Sequence, residues 1–322
     1  DPGTKVLVIG HVNDVLLYRE LIRRGVSEYV VAPLDLFDVL RAIGDLYHSP
    51  EAALLGRSVA FIGAKGGCGS STIAHNVAWS IAKTFANDVM VADFDLAWGT
   101  AGLDFNQDPT QGALDALLSP ERIDEVFLDR LLTKCSDNLS LLAAPALLDR
   151  TYDQDELAFD PTIEVARGNV PVVVIDLPHQ WTGWVRRQLR EADEVVIVAT
   201  PDLANLRNAK NLSDVLRGAR PNDAPPRLVF NQVGMPKRPE IKLEEFAKAL
   251  DLAIAATIPF DAKLFGDAAN KGLMIGELDA KHQVAETFRN LCGVVTGRAE
   301  IRRAKKSPFA PLLEKLRARK AS

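Results

Sequence analysis

Short apolar runs recur along most of the 322-residue chain and alternate with helix-length segments of mixed polarity. The runs that have the length of strands lie at 59–62, 89–92, 139–142, 172–175, 195–198, 228–230 and 253–255. Continuous apolar strands separated by helices are typical of a mostly parallel sheet that helices cover on both faces. We therefore predict an α/β domain over residues 58–297.

Residues 1–47 show a shorter version of the same pattern. Each of two predicted strands is followed by a predicted helix, in the order 5–9, 12–24, 29–31 and 36–47. Two β/α units are too few for an independent doubly wound sheet, so residues 1–47 are predicted to be part of an α/β domain. Residues 48–57 contain Ser49, Pro50 and Gly56 and are predicted to be a linker.

Composition narrows the classes of function. The formal net charge is −5, which argues against a protein whose whole surface binds DNA, and we expect no specific nucleic-acid partner. Three widely spaced cysteines form no CxxC pair, which indicates a reducing compartment. No apolar run approaches the roughly 18 residues that a membrane span needs. We expect a cytoplasmic protein, and targeting information before Asp1 stays open.

A glycine-rich loop joins the predicted strand 59–62 to a predicted helix at 71–84. Glycines let backbone N–H groups approach phosphate oxygens, and the start of a helix adds positive potential. The hydroxyl of Ser71 is placed to bind Mg²⁺ at that helix start. A β-α turn without a ligand is the alternative. The loop sequence is Gly63-Ala64-Lys65-Gly66-Gly67-Cys68-Gly69-Ser70-Ser71-Thr72.

Polar residues follow three of the predicted strands. Asp93 and Asp95 lie at the end of one strand, beside the predicted phosphate site, and a turn with solvated carboxylates is the alternative. Asp176 ends the run 172–175, which resembles a Walker B motif, and that resemblance implies that Asp176 holds Mg²⁺ through water. Asn231 follows 228–230, where it resembles a base-reading asparagine or simply occupies a turn.

The order Lys65-Gly66-Gly67 resembles the deviant Walker A motif of the ParA/MinD ATPases. The resemblance implies a P-loop NTPase fold and binding of ATP and Mg²⁺ within a homodimer, in which Lys65 reaches the partner's phosphates. It implies that Asp95 orients the attacking water. The nucleotide-binding residues that it implies are Lys65, Gly66, Gly67, Cys68, Gly69, Ser70, Ser71, Thr72, Asn231 and Pro259, with Ser71 and Asp176 at the metal.

One position departs from this motif. Ser70 stands where a P-loop has its usual lysine, which offsets charge on the β and γ phosphates. Backbone N–H groups and Mg²⁺ remain, so the substitution is expected to impair hydrolysis more than binding. Whether the chain is an active enzyme is therefore left open, and turnover is expected to be slow or absent.

A finer resemblance covers nearly the whole chain. Segments 67–76, 93–99 and 141–145 are similar to the TadZ/CpaE proteins of tad-type pilus assembly, and segments 10–14 and 25–29 to that family's atypical receiver-like domain. The resemblance implies a dimeric localisation factor at the cell pole. Its implied partners are the pilus secretion ATPase, inner-membrane pilus assembly proteins and a polar landmark protein. Ala32-Pro33 replaces the Lys-Pro of a working receiver, which argues against phosphorelay signalling.

Two questions stay open at this point. The first is whether the chain is instead an active partitioning or positioning ATPase of the ParA/MinD type. A bacterial tyrosine kinase with a deviant Walker A motif is a remote third hypothesis, since the sequence has no Tyr-rich tail. The second concerns residues 298–322, which mix Arg and Lys with apolar residues. This basic tail could contact anionic lipid at the inner membrane or remain solvated and disordered.

Overall fold

The computed structural model describes residues 5–12, 15–32, 55–146, 148, 151–221 and 223–298. The chain divides into two compact units, residues 1–55 and residues 56–322. Most of the predicted linker and the predicted helix at 36–47 lie outside the described residues, as does the basic tail after residue 298.

The first unit contains a parallel pair of strands joined by a helix. Strand β1 (Leu7–Gly10) pairs with β2 (Glu28–Val31), and α1 (Val15–Arg23) connects them. Gly25 adopts a φ of +93°, a backbone conformation that favours glycine, and it follows the helix end. This is the βαβ order that the apolar pattern predicts for the described part of residues 1–47.

The second unit is built on an eight-stranded sheet with the order β10-β9-β8-β3-β7-β4-β6-β5. Every neighbouring pair is parallel except β5 with β6. Its strands are β3 (Arg57–Gly63), β4 (Val89–Asp93), β5 (Thr133–Ser136), β6 (Leu139–Leu142), β7 (Val172–Leu177), β8 (Glu194–Ala199), β9 (Arg227–Val233) and β10 (Ile254–Pro259).

Helices cover both faces of this sheet, and each face has its own apolar core. Alternate residues of one strand divide between the two cores, because successive side chains point to opposite faces. The helices are α2 (Ser70–Phe85), α3 (Ala101–Asp104), α4 (Ala113–Leu118), α5 (Glu125–Leu131), α6 (Asp160–Asn169), α7 (Gly183–Glu191), α8 (Leu203–Ala219), α9 (Leu243–Leu250), α10 (Ala262–Lys271), α11 (Ile275–Leu278) and α12 (Gln283–Val295), with one 3-10 turn at Pro120–Arg122. The predicted α/β architecture is confirmed.

The structure differs from the sequence-based prediction at the sheet's edge and at strand ends. Strand β5 is absent from the prediction, because Thr133–Ser136 is polar and only partly buried at an antiparallel edge. Strand β7 continues to Leu177, so Asp176 lies inside the strand rather than after it. Strand β3 begins at Arg57, one residue before the predicted domain start.

Within the described part of the chain, no helix combines the length and the apolarity needed to cross a membrane.

Candidate functional site

The glycine-rich loop lies between the end of β3 and the start of α2. Its tight course depends on Gly67 and Gly69, whose φ angles are +79° and +85°, in a region that side chains rarely adopt. A Cβ on Gly69 would also lie 2.4 Å from Asn231 Nδ2. Both the backbone conformation and the lack of space therefore require glycine at position 69.

Two side chains after the core of β9 hold the loop from one side. The buried Asn231 donates from Nδ2 to the carbonyl of Cys68 at 2.8 Å. The next residue, Gln232, donates from Nε2 to the carbonyl of Gly67 at 3.0 Å. The base-reading role of Asn231 stays a prediction, since in this structure its amide nitrogen bonds the loop.

The beginning of the loop has two further supports. Asn208 on α8 donates from Nδ2 to the carbonyl of Ala64 at 2.8 Å. His179 Nδ1 lies 2.8 Å from the carbonyl oxygen of Gly63, which accepts a hydrogen bond from the ring N–H. With its carbonyls bonded to side chains, the loop is free to turn its amides toward a ligand.

Those amides are available. Within the described residues, the N–H groups of Gly66, Gly67 and Gly69 have no acceptor. Successive free N–H groups at the start of a helix form a concave site for anions. Lys65 is exposed on the same loop. The hydroxyl of Ser70 is buried without a hydrogen-bond partner among the described residues.

Acidic residues converge beside the loop, because β4 and β7 are neighbours in register. Asp93 pairs with Asp176 across these two strands. Asp93 accepts the amides of Ala101 at 3.1 Å and Asp95 at 3.2 Å, so it fixes the turn that follows β4. Asp95 is half-buried in that turn and accepts the amide of Trp98 at 3.1 Å.

Asp176 is the most unusual of these acids. It is 1% exposed, and neither carboxylate oxygen accepts a hydrogen bond within the described residues. Its ion-pair contact is His75 Nε2 at 3.4 Å. A buried carboxylate without hydrogen bonds is costly unless a ligand or water completes its shell.

Burial and crowding shift the pKa values of this cluster. Burial raises the pKa of Asp93, the charge of Asp176 raises it further, and His75 with the turn amides lowers it, for a net value of about 7. Burial likewise raises the pKa of Asp95. Burial alone would lower the pKa of His75, but the hydrogen bond to Asp104 and the contact with Asp176 raise it to about 10. Such coupled shifts are frequent at functional sites.

The chain has relatives among known proteins. The MinD septum site-determining protein of Helicobacter pylori is 26% identical over 225 residues, which are 65% of this chain and 79% of that protein. The MinD protein of Synechocystis is 25% identical over 68% of this chain and 81% of its own length. No protein-family model matches the chain.

The chain is homologous to the MinD/ParA ATPases at the level of the superfamily. Solved structures of that superfamily share the fold. A ParA-family ATPase from Chlorobium tepidum superposes with a TM-score of 0.67 at 22% identity, over 74% of this chain and 98% of its own. MinD of Pyrococcus horikoshii, complexed with Mg-ADP, also gives 0.67 at 19% identity, over 78% and 100%.

The residues of this MinD/ParA homologue fit a magnesium ion held together with a nucleotide. Within the described residues, no group of three or more His, Cys, Asp or Glu could hold a metal without help. Mg²⁺ in nucleotide sites is usually bound by one or two carboxylates, phosphate oxygens and water. The unpartnered oxygens of Asp176 meet that requirement, and Ser71 lies on the first turn of α2.

Pro259 lies at the end of β10, paired with Val233 of β9, at the same carboxyl edge of the sheet as the loop. Its contact with adenine stays a prediction. Three residues that hold the site were not assigned to it by sequence reasoning: His75, Asn208 and Gln232. The signal for His75 was its position four residues after Ser71, which places both on one helix face.

Proposed function

We propose that this chain is an ATP-binding scaffold that dimerises with ATP and localises tad/Flp-type pilus assembly at the cell pole. Its ATP hydrolysis is weak or absent. The observation that supports the proposal is the loop itself, where the N–H groups of Gly66, Gly67 and Gly69 have no acceptor within the described residues and Ser70 stands where a P-loop has its lysine. A nucleotide that binds but turns over slowly suits a switched scaffold better than a motor.

Binding of ATP is supported by the arrangement around the loop. The amides of Gly66, Gly67 and Gly69 would surround the β and γ phosphates, and Ser71 with Asp176 would hold Mg²⁺. The structurally similar MinD of Pyrococcus horikoshii is a complex with Mg-ADP. Mg²⁺ would neutralise charge between the phosphates.

Weak hydrolysis follows from the charge that Ser70 cannot supply. Asp95, half-buried after β4, would orient the attacking water, so one catalytic element is retained. The transition state of phosphoryl transfer spreads negative charge over the γ-phosphate oxygens. A neutral hydroxyl at position 70 stabilises that charge less than an ammonium group does.

Dimerisation is assigned to Lys65. This side chain is exposed on the loop, and backbone N–H groups of the same loop would bind the phosphates. A lysine that reaches across a two-fold interface makes a charge-assisted contact only when two subunits face each other. ATP would then join the two copies.

The pilus and its partners rest on the sequence resemblance to TadZ/CpaE proteins. The proposed partners are the pilus secretion ATPase, inner-membrane assembly proteins and a polar landmark protein. A MinD of Aquifex aeolicus is known in complex with MinC, so a structural relative does bind a further protein. Contact of the basic tail at 298–322 with the inner membrane belongs to the same proposal, and flotation with anionic vesicles tests it.

The decisive experiment measures ATP affinity and hydrolysis on one purified sample. We expect ATP to bind with Mg²⁺ in isothermal titration, and turnover to stay far below the rate of about 1 s⁻¹ at the lower end for competent kinases. Absence of binding at millimolar ATP would make the site vestigial. Turnover near 1 s⁻¹ would remove the scaffold reading of Ser70.

The second candidate is an active positioning or partitioning ATPase. It is favoured by the retained Asp95 and by sequence relatives that are MinD proteins. Stimulation of turnover by DNA would support the partitioning form, although the net charge of −5 gives little help to DNA binding.

A further inference from the structure

A buried histidine lies on the helix that follows the glycine-rich loop. His75 on α2 is 0% exposed, and its two ring nitrogens face two different acids. Nδ1 lies 2.7 Å from Asp104 Oδ2, and Nε2 lies 3.4 Å from Asp176 Oδ2. The proposed function leaves this histidine without a role.

The two acids belong to different parts of the site. Asp176 is in β7, and within the described residues its side chain has no other partner. Asp104 is the last residue of α3, at the end of the segment that begins with Asp95. The Phe105 ring packs 5.5 Å from the His75 ring, centroid to centroid, and restricts how the imidazole can turn.

Segment 95–104 is therefore held at both ends. At its beginning, Asp93 accepts the amide of Asp95, and it also accepts the amide of Ala101 at the start of α3. At its end, Asp104 bonds His75. His75 also contacts Asp176, the proposed magnesium ligand. A shift of the Asp176 carboxylate would therefore act through His75 and Asp104 on the segment that contains Asp95.

We propose that His75 is a positioning residue that orients Asp176 for the divalent cation bound with ATP and links that carboxylate through Asp104 to segment 95–104. The proposal rests on the proposed binding of ATP. It assigns Ser71 and His75, one turn apart on α2, to the cation and to the carboxylate beneath it. A second residue that orients a metal ligand is a general feature of metal sites and typically changes affinity by about 10–100-fold.

The orientation of the ring supports the same assignment. Nδ1 is held by Asp104 at 2.7 Å, so Nε2 is the ring nitrogen left to face Asp176, at 3.4 Å. A polar group beside a buried carboxylate offsets part of the cost of burying it. Neither oxygen of Asp176 accepts a hydrogen bond within the described residues, so both keep the capacity to bind a cation.

The first test is isothermal titration of the full chain with ATP, once with Mg²⁺ and once with EDTA. We expect Mg²⁺ to strengthen ATP binding, and His75→Gln to lower that gain by about 10–100-fold while leaving the affinity in EDTA unchanged. A purely structural role would weaken both affinities equally, and that result would overturn the proposal. So would wild-type ATP binding that Mg²⁺ does not strengthen.

The second test follows the link to segment 95–104 by amide hydrogen exchange. We expect Mg²⁺ added to the ATP complex to slow exchange in this segment of the wild type, and Asp104→Ala to abolish that slowing while ATP still binds. Unchanged slowing in Asp104→Ala would overturn the link. This variant is also available if His75→Gln does not fold, because the Asp104 side chain is 21% exposed.

The matched control is His282→Gln. His282 caps α12, where its Nδ1 accepts the amide of Val284 at 3.2 Å, and neither measurement should change. Failure of the wild type to bind ATP in either buffer would instead refute the proposed function, and the inference with it. ATP binding with an unaltered Mg²⁺ gain in His75→Gln would refute the inference alone.

Discussion

At the amino-terminal end of the sheet, Glu194 is 1% exposed in its side chain and is bonded by two arginines. Arg57 donates to it at 2.9 Å and Arg227 donates through two nitrogens at 2.9 and 3.2 Å. At the carboxyl end, Asp176 is equally buried, yet neither of its oxygens accepts a hydrogen bond within the described residues. The same fold thus treats two buried acids in opposite ways.

This difference in hydrogen bonding separates a structural role at the amino-terminal end from a functional role at the carboxyl end. A buried charge with full hydrogen-bond partners stabilises the fold, or at least does not oppose it. A buried charge without hydrogen bonds costs free energy, and Asp176 has only the contact with His75 Nε2 at 3.4 Å to offset that cost. Asp93 and Asp95 add to the excess of acid at the carboxyl end, and the pKa of each is raised by burial. Proteins usually break such local pairing rules at functional sites.

The largest expected effect comes from removing Glu194, the fully paired acid at the amino-terminal end of the sheet, which we call the closed end. The carboxyl end, where Asp176 lies, is called the open end. Glu194→Ala leaves two arginines without their shared buried partner and should lower the free energy of unfolding by about 3–5 kcal/mol. Urea denaturation measures it. The control is Glu191→Ala, whose exposed pair with Arg190 should contribute about 0–1 kcal/mol. Equal effects of the two variants would mean that the closed end is no more stabilising than a surface pair.

A substitution of Lys65 tests whether the loop at the carboxyl end of the sheet mediates dimerisation. Lys65→Ala should keep most of the ATP affinity, because the proposed phosphate site consists of backbone amides. It should weaken the proposed ATP-dependent dimer on the order of 10²-fold per lost charged contact. Light scattering with and without ATP measures it, with Lys242→Ala, an exposed lysine paired to Glu245, as control. A variant that still dimerises would place the interface elsewhere. One that loses ATP would give Lys65 a role in its own subunit.

Substitutions of Ser70 test whether the missing P-loop lysine limits hydrolysis. Ser70→Lys should raise turnover by about 10²-fold, since electrostatic groups of this kind are worth a few kcal/mol in the transition state. Ser70→Ala removes the hydroxyl without adding charge and should leave turnover unchanged. ATP affinity of both variants shows whether the loop still fits. No gain from the lysine, with ATP still bound, would mean that another feature limits hydrolysis.

The smallest effect is a pH dependence of stability in the protein without nucleotide. Because the pKa of His75 is raised in the folded state, its stabilisation is complete below pH 6.5 and is lost as the pH rises toward about 10. The slope is at most about 1.4 kcal/mol per pH unit. The raised pKa of Asp93 changes stability between pH 3.8 and about 7, so it overlaps the His75 window only at its lower end. Thermal unfolding of wild type and His75→Gln should diverge at low pH and converge at high pH; parallel curves would contradict a charged His75.

Local patterns were sufficient for the strands, the loop and the helix behind it. The apolar runs at 172–175 and 195–198 became β7 and β8, since buried parallel strands need continuous apolar sequence. The glycines at 67 and 69 are readable because their positive φ is a property of single residues. Strand β5 was missed because an exposed antiparallel edge has no such requirement.

What the sequence by itself determined is the set of groups that bring chemistry: the Lys65 loop, Ser70 in place of lysine, and acids after β4 and in β7. Only the tertiary structure decided which side chains position these groups. Asn208 and Gln232 bond the loop, and His75 joins Asp104 to Asp176. These pairs are 29 to 165 residues apart in the chain, so no local period encodes them. They form because parallel strands bring their carboxyl ends to one edge, where buried polar groups must find partners.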